Sequence, residues 1–519
     1  MSKYIALPHG VTEPVFERAL AEYRTILGED GVLTSADQLA PYCRIMLAVP
    51  DEEHYPSAAI TPRSVEDIQK CLVVCNKYKV PVWPVSTGRN FGYGSAAPGT
   101  RGQVVMDLRL MNRILDVDAD LCTALVEPGV TYQQLYDYIQ ERNLPVWLSV
   151  PAPGAIVGPV GNTLERGNGY TPFGEHFSQQ CGMEVVLANG EVLRTGMGSI
   201  PNSNTWQIFK WGYGPVLDGL FSQSNFGIVT KLGFWLMPAP PAYKPFIIRY
   251  EEDDDIALAI ETLRPLKTSG IIPNGAAICS AMVEAVGLIK RSDYYTDTYK
   301  GKGVMPPEIV EKVKKEHDLH AWTVYGALYG TDESIALQWK AIQDTLKASG
   351  KGTLIAFSEL GPNFKFGYLA DLMKGKPNLG EFGRLNYTGG GGLMPFSPVC
   401  QARGSESAKQ IAMGRRIMTK WGFDYHGEFV IGRSDMHHII GVEYDRTDAE
   451  EMKRAHSCFK ELLEEFSAEG YGTYRVNTAF MDLTADLYGP VKKEINRKIK
   501  NALDPNGIIA PGKSGIWNT

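Results

Sequence analysis

The chain has 519 residues, with 52 Lys and Arg against 59 Asp and Glu and a formal net charge of −7. Hydrophobic residues at 44% and charged residues at 21% are ordinary globular values, which excludes a largely disordered chain, and the lack of a basic excess excludes a general nucleic-acid binder. Glycine is the outlier: 54 residues are about 10% of the chain, against a usual ~7%.

Thr12, Glu13 and Pro14 place a cap and an early proline before Phe16, Leu20, Tyr23 and Leu27, predicting a helix that ends at Gly28. A second helix is expected after Ser64, with Val65, Ile68, Cys71, Leu72 and Cys75 inward. The strand Val82–Val85 then leads into a glycine loop, 86–99. Short strands at 104–106, 114–117 and 124–126 precede a helix capped by Thr131. This is an α+β pattern, without the regular βαβ rhythm of a doubly wound sheet. A second loop-rich stretch covers 151–176 and a third β signal 223–238, and the prolines at 238–245 mark a boundary near 240. Beyond it, helices alternate with β runs at 322–328, 427–431 and 438–444, and amphipathic helices at 450–468 and 489–503 lead to a short tail.

The eight cysteines form no CxxC pair, so neither a disulfide framework nor a zinc ribbon is expected, and no CxxCH is present to attach a c-type haem. No apolar run at the N-terminus has signal-peptide length, and none spans a membrane, so a reduced cytoplasmic protein is the default. His437 and His438 are neighbours on a β run and would face opposite ways, and His317 and His320 lie on a charged segment, so no metal is expected.

Gly507, Gly512, Lys513 and Ser514 formally match a Walker A motif, but only five residues follow Ser514, too few for the helix a P-loop needs. Gly88, Gly92 and Gly94 follow an apolar strand and suit a pyrophosphate held by backbone N–H donors. Their spacing is GxxxGxG and no helix follows, which argues against a Rossmann site for NAD. Tyr474-Arg475 alone reads as a packing pair.

Taken together, STGRNFGYG (86–94), GNTLERGNGYTPFGEH (161–176), GGGG (389–392), DMHH (435–438), YRVNT (474–478) and IIAPGKSGIW (508–517) resemble the vanillyl-alcohol oxidase / p-cresol methylhydroxylase family, nearer its p-cresol methylhydroxylase branch. These FAD enzymes act on para-substituted phenols. The resemblance implies an α+β protein with a two-part FAD-binding domain (1–239 with 500–519) and a substrate or cap domain (240–499) built on an antiparallel sheet. It assigns FAD to Ser86, Thr87, Gly88, Arg89, Asn90, Gly92, Gly158, Gly161, Asn162, Thr163, Gly169, Gly174, Glu175, Asn225, Gly227, Ile228 and Val229, and makes Lys513 a flavin residue beside the N1–C2=O edge.

The same resemblance makes Tyr93, Tyr474 and Arg475 a phenolate-binding trio, two hydroxyl donors and a permanent cation. In a regular strand Tyr474 and Arg475 would diverge, so irregular backbone is predicted there. Glu381 and Glu428 match acidic positions for activating water, His438 matches a neighbour, and Glu175 is a weaker candidate. The positions at which family members tether FAD fall on Leu385 and Leu393, which have no nucleophile, so non-covalent FAD is expected; Tyr387 is a remote substitute. The Asp that oxidases carry is missing from Val150-Pro151-Ala152-Pro153, which favours a hydroxylating dehydrogenase with a cytochrome c acceptor over an oxygen-using 4-alkylphenol oxidase. A cytochrome partner would draw the chain to the periplasm; a homodimer is also expected. Pro395, between Met394 and Phe396, hints at a roomy pocket for a p-cresol-, eugenol- or pinoresinol-like phenol. An NAD-linked dehydrogenase and a non-catalytic electron-transfer flavoprotein are the readings from other classes.

Overall fold

The computed structural model describes residues 3–296, 303–362 and 364–518. The architecture is α+β. Near the N-terminus, four short strands lie in the order Val32–Leu33, Ala59–Ile60, Val104–Asp107, Val82–Val85. The last three run parallel, because the helix Val65–Tyr78 crosses between Ala59–Ile60 and Val82–Val85. That helix starts where Ser64 accepts the Asp67 N–H at 3.1 Å, a cap typically worth ~1 kcal/mol, and it buries Ile68, Cys71, Leu72 and Cys75. The first helix, Glu13–Leu27, buries Phe16, Leu20 and Tyr23 and stops at Gly28.

The C-terminal tail extends this small sheet. The Val82 N–H donates to the Ile508 carbonyl at 2.8 Å and the Ala510 N–H to the Val82 carbonyl at 2.7 Å, so Ile509 runs parallel to Val82. A buried ammonium fixes the tail. Lys500, fully buried at the end of the helix Pro490–Leu503, donates to Asp504 Oδ2 at 2.6 Å, the Ile509 carbonyl at 2.7 Å and the Asn225 carbonyl at 2.8 Å. Asp504 in turn accepts the Ile508 and Ile509 N–H groups.

A five-stranded antiparallel sheet follows, in the order Ile114–Asp118, Thr123–Val126, Ile228–Trp235, Gln180–Val186, Val192–Arg194. Residues 242–444 supply an eight-stranded antiparallel sheet, in the order Thr353–Ala356, Ala242–Tyr250, Trp322–Gly330, Ala276–Ser280, His426–Ile431, Asp435–Tyr444, Gly392–Phe396, with Val399–Gln401 also paired to Asp435–Tyr444. One face of this sheet (Ile248, Ile278, Val324, Phe429, Ile440) packs under the helices Asp255–Thr268, Asp332–Ser349, Gly404–Trp421 and Ala449–Ala468. The other face (Ile247, Ala277, Cys279, Tyr325) joins the core of the five-stranded sheet. Among the described residues no helix is long and apolar enough to cross a membrane.

Candidate active site

An open cleft of about 1430 Å3 is walled by the loop after Val85, the turn into the helix Pro159–Leu164, the segment before Ile228, and the tail. Ser86, Thr87, Gly88, Arg89, Asn90, Gly158, Gly161, Asn162, Asn225, Gly227, Ile228, Val229 and Lys513 all line it. The glycines are needed for close approach. A Cβ on Gly88, which has φ +64°, would lie 2.9 Å from the Ala96 Cβ, and one on Gly161 would lie 2.2 Å from the Ser86 hydroxyl.

Five predicted cofactor residues are not brought to this wall. Gly92 turns away and supports the cap, since a Cβ there would sit 2.7 Å from Pro395 Cδ. Thr163 is buried within its own short helix. The Gly169 N–H donates to the Gly174 carbonyl at 2.7 Å, closing a small loop whose flank carries Asn168 to Tyr474. Glu175 is exposed; its neighbour His176 points inward, to Asn162 and Tyr132.

The residues present fit FAD. Three buried polar atoms of cleft-lining residues, Asn225 Oδ1, Arg475 Nε and Thr478 Oγ1, have no hydrogen-bond partner among the described residues, while Val160, Phe221 and Val229 supply apolar wall. That mixture suits a ligand with a polar backbone and flat apolar rings. Asn225 also holds the tail, its amide donating to the Ala510 and Ile516 carbonyls at 2.9 and 3.0 Å. Lys513 pairs with Glu165 at 2.5 Å. Burial alone would raise the Glu165 carboxyl, but Lys513 and Arg475 overcome it and hold the group below its ordinary range. Residues 513–515 form a single tight turn, not a P-loop helix.

Of the three residues expected to bind a phenolate, Tyr93 and Arg475 line the cleft, and Tyr474 lines the adjoining pocket that shares Arg475 with it. The Arg475 guanidinium lies 4.0 Å from the centre of the Tyr93 ring, a cation–π distance, and donates to Asn90 Oδ1. The backbone at 474–475 is irregular, as predicted, because side chains take up its carbonyls. Gln223 donates to the Tyr474 carbonyl at 3.0 Å, Thr473 to the Arg475 carbonyl at 2.8 Å and Tyr488 to the Thr473 carbonyl at 2.8 Å, while the Thr478 N–H reaches Tyr93 O at 3.1 Å. Tyr474 receives a long hydrogen bond from Asn168 at 3.5 Å and stacks on His437. Burial, then the neighbouring Tyr93, pushes its hydroxyl well above the ordinary value, so Tyr474 is a donor at neutral pH.

The acidic group lies on the sheet face above. Arg384, in the turn Gly380–Asn386, donates to Glu381 at 2.9 Å and to Glu443 at 2.6 Å, and Glu443 also meets His426 at 2.7 Å. Among the described residues Glu428 accepts only a weak thiol bond from Cys279, at 3.4 Å. Burial, and secondly the charge of Glu381, push Glu428 up to about 7. Glu443 goes the other way, to about 2, because Arg384 and His426 outweigh its burial. One permanently ionised carboxylate and one poised near neutrality is the division that acid–base chemistry uses.

His438 is not brought to this group. The register pairs Glu428 with Ile439 and Phe429 with His438, so Glu428 and His438 point to opposite faces. His438 is fully buried under the helices, stacked on Phe429 at 4.3 Å and bonded to Tyr425 at 2.7 Å, and burial drives its imidazole down to about 3. His437 is the histidine on the site face. Leu385 sits in the Gly380–Asn386 turn, next to Phe382, which packs edge-on against Phe91 of the cleft loop. Leu393 pairs across from Glu443. Tyr387 is buried, with its hydroxyl on Asp424 at 2.8 Å. Asn168, Tyr170, Arg384, Glu443 and Glu165 join the site without having been singled out from the sequence.

Residues 56–196 match the FAD binding domain family. Over 511 residues the chain is 55% identical to the 4-cresol dehydrogenase (hydroxylating) flavoprotein subunit of Pseudomonas putida, covering 98% of this chain and 97% of that protein. The chain belongs to that flavoprotein family. A solved structure of p-cresol methylhydroxylase with substrate bound superposes with a TM-score of 0.97 at 54% identity, covering 99% of both chains. The 4-ethylphenol oxidase of Gulosibacter chungangensis, in its isoeugenol complex, superposes at 0.95 with 34% identity, over 98% of this chain and 99% of that one. As a member of the p-cresol methylhydroxylase family the protein is a flavin-dependent oxidoreductase, and FAD is its cofactor.

Proposed function

We propose that the protein oxidises and hydroxylates a 4-alkylphenol at its benzylic carbon, in a site shared by a FAD-binding part (1–239 with 500–519) and a cap (240–499). The observation that carries this reading is the convergence of Tyr93, Tyr474 and Arg475 beside the cleft, opposite a near-neutral Glu428.

A phenol ionises near pH 10, as tyrosine does. Arg475 and the hydroxyls of Tyr93 and Tyr474 would bind the phenolate oxygen, and the positive guanidinium favours its ionised form. Bound FAD would supply the acceptor for the hydride that leaves the benzylic carbon, turning the phenolate into a quinone methide. Lys513 would place positive charge at the cleft wall, where that acceptor gains negative charge. Glu428 then takes a proton from the water that adds to the methide carbon, and Glu381, held by Arg384, keeps that corner polar.

The acceptor in this reading is a c-type cytochrome, because the segment Val150-Pro151-Ala152-Pro153 lacks the acidic residue expected of the oxidases. The likeness to a 4-ethylphenol oxidase supports the second reading, an oxygen-using oxidase. Mixing the protein anaerobically with a panel of 4-alkylphenols tests the function: the flavin bleaches if the reading holds and stays yellow if it fails. Stoichiometric hydrogen peroxide under air would select the oxidase.

A further inference from the structure

Glu165 stands at the wall between the cleft and the adjoining pocket, and it lines both, as Arg475 does. It follows the short helix Pro159–Leu164, with its N–H donating to the Gly161 carbonyl at 3.1 Å. Its carboxylate meets the Lys513 ammonium at 2.5 Å, and that ammonium lies 5.8 Å from the centre of the Trp83 ring. Gln223 ties this corner to the segment that carries Tyr474 and Arg475. Its side-chain amide donates to the Glu165 carbonyl at 3.3 Å and to the Tyr474 carbonyl at 3.0 Å. Arg475 acts on the Glu165 carboxylate through space, without a hydrogen bond.

Several cations therefore face one carboxylate. Burial opposes the charge of Glu165, but Lys513, then Arg475, then the adjacent Arg166 outweigh it, so the group is ionised at neutral pH. Arg166 is also turned to Ser222, whose hydroxyl accepts its Nε–H at 3.1 Å. Among the described residues Lys513 has no other carboxylate partner. Lys513 is 9% exposed, and a buried cation left unpaired is costly, so an empty cleft needs this carboxylate. In the proposed reaction each of two cations also has an anion to receive. Arg475 receives the phenolate, and Lys513 faces the negative charge that FAD gains with the hydride.

We infer that Glu165 is the shared counter-ion of Lys513 and Arg475, a positioning residue that sets how much positive charge each presents to its own anion. The inference rests on the 4-alkylphenol reading above. One carboxylate does not neutralise two cations, so the wall keeps a net positive charge for cofactor and substrate. On the substrate side, Glu165 tempers Arg475. A phenolate under an uncompensated guanidinium would bind tightly but push its electrons less readily towards the departing hydride, and ground-state binding of that kind does not speed the chemical step. On the cofactor side, Glu165 holds the Lys513 ammonium at the cleft wall and moderates its charge, which fixes how readily bound FAD accepts electrons.

Two variants of the FAD-loaded enzyme test this: Glu165→Gln keeps the shape and removes the charge, and Glu165→Asp keeps the charge. Each is read by anaerobic redox titration against a reference dye and by equilibrium binding of a phenol that lacks a benzylic hydrogen. A neighbouring charge commonly moves an ionisation by about one unit or more, a factor of about ten. Glu165→Gln is therefore expected to raise the flavin midpoint, with the reduced-to-oxidised ratio at a fixed potential about tenfold higher, ~30 mV for a two-electron couple. It is also expected to bind the phenol about tenfold more tightly at neutral pH. Glu165→Asp should stay near wild type in both. An unmoved midpoint and affinity in the Gln variant, loss of FAD from it, or the same shift in both variants makes Glu165 a packing residue and overturns the inference, leaving the phenol reading intact. Movement of only one of the two readouts overturns the sharing. Failure of every 4-alkylphenol to bleach the wild type overturns the phenol reading, and the shared role with it.

Discussion

The His437 imidazole lies against the Tyr474 ring, with ring centres 4.6 Å apart and planes 28° apart, while its neighbour His438 stacks on Phe429 on the opposite face of the sheet. The two histidines therefore answer to different measurements. His437→Ala frees a ring of the proposed phenol-binding trio and is expected to lower the second-order rate of flavin reduction by a 4-alkylphenol about tenfold, ~1.4 kcal/mol, with little change in Tm. His438→Ala leaves Tyr425 and Gln410 unpaired in the core and should cost about 1–3 kcal/mol in urea unfolding, with reduction kinetics near wild type. The reverse pattern would place the functional histidine on the other face.

Much of this site is legible in the sequence because its parts are local. The loop after Val82–Val85, the helix after Ser64 and the strands expected at 104–106, 124–126 and 427–431, each found within one residue of those bounds, follow from caps, glycine and alternation, which act within a few residues. Alternation also says that His437 and His438 diverge, but not which one faces Tyr474. That choice is set by pairing with Val399–Gln401 and by the approach of residues 473–476, some 37 positions later in the chain. The same limit hid Arg384, whose partner Glu443 is 59 residues away, and Glu165, whose partner Lys513 is 348 residues away. Gly92 and Gly169 were legible as special backbone but not as to whether cap or cofactor required it.

Arg475 is the only permanent cation of the proposed trio. Arg475→Met keeps the volume of the stem and its packing on Tyr93 but removes the charge that favours a phenolate. Losing a charged hydrogen-bond partner typically costs about 1.5–3 kcal/mol, so binding of a 4-alkylphenol should weaken roughly 10- to 100-fold. Flavin reduction should also shift its pH optimum upward, towards the free phenol's own ionisation. Equilibrium titration with a non-reacting phenol checks the first, and anaerobic stopped flow from pH 6 to 10 the second; unchanged affinity would remove Arg475 from the phenolate site.

Stability should fall as pH rises from about 4.5 to 7. Glu428 and Glu284 both have folded-state values raised from 4.5 to about 7, chiefly by burial. A raised carboxyl contributes stability that is fully present below the unfolded value and is lost as pH climbs through the folded one. Urea midpoints at pH 5 and pH 8 should therefore differ in favour of pH 5 once other groups are matched. Glu428→Gln and Glu284→Gln should each flatten part of that slope, and a slope untouched by either change would mean both carboxyls are already ionised at pH 5.

Lys500 makes the tail part of the fold. Lys500→Met strips Asp504 of its cation in a fully buried site and frees the carbonyls of Asn225 and Ile509. Breaking a buried pair from one side costs about 3–5 kcal/mol, which should show as a lower urea midpoint. FAD affinity should fall with it, because Asn225 and Ile509 both line the cleft. The double change Lys500→Met with Asp504→Leu removes the stranded carboxylate and should recover part of the stability without restoring FAD affinity.

FAD should leave this protein when the fold is destroyed. Leu385 and Leu393, at the positions to which the resemblance assigns flavin attachment, carry no nucleophile, and Tyr387, two residues beyond Leu385, is buried with its hydroxyl on Asp424. Precipitation with acid should give a colourless pellet and a yellow supernatant containing one FAD per chain. Dialysis against high bromide should yield apoprotein that regains its absorbance when FAD is added. A tether formed at any other side chain would keep the colour in the pellet, and peptide mapping of the flavin would name that residue. The same apoprotein separates cofactor from substrate binding: Lys513→Met should raise the dissociation constant for FAD while leaving the Tyr93–Tyr474–Arg475 cluster in place, since Lys513 pairs with Glu165 and not with a member of that cluster among the described residues.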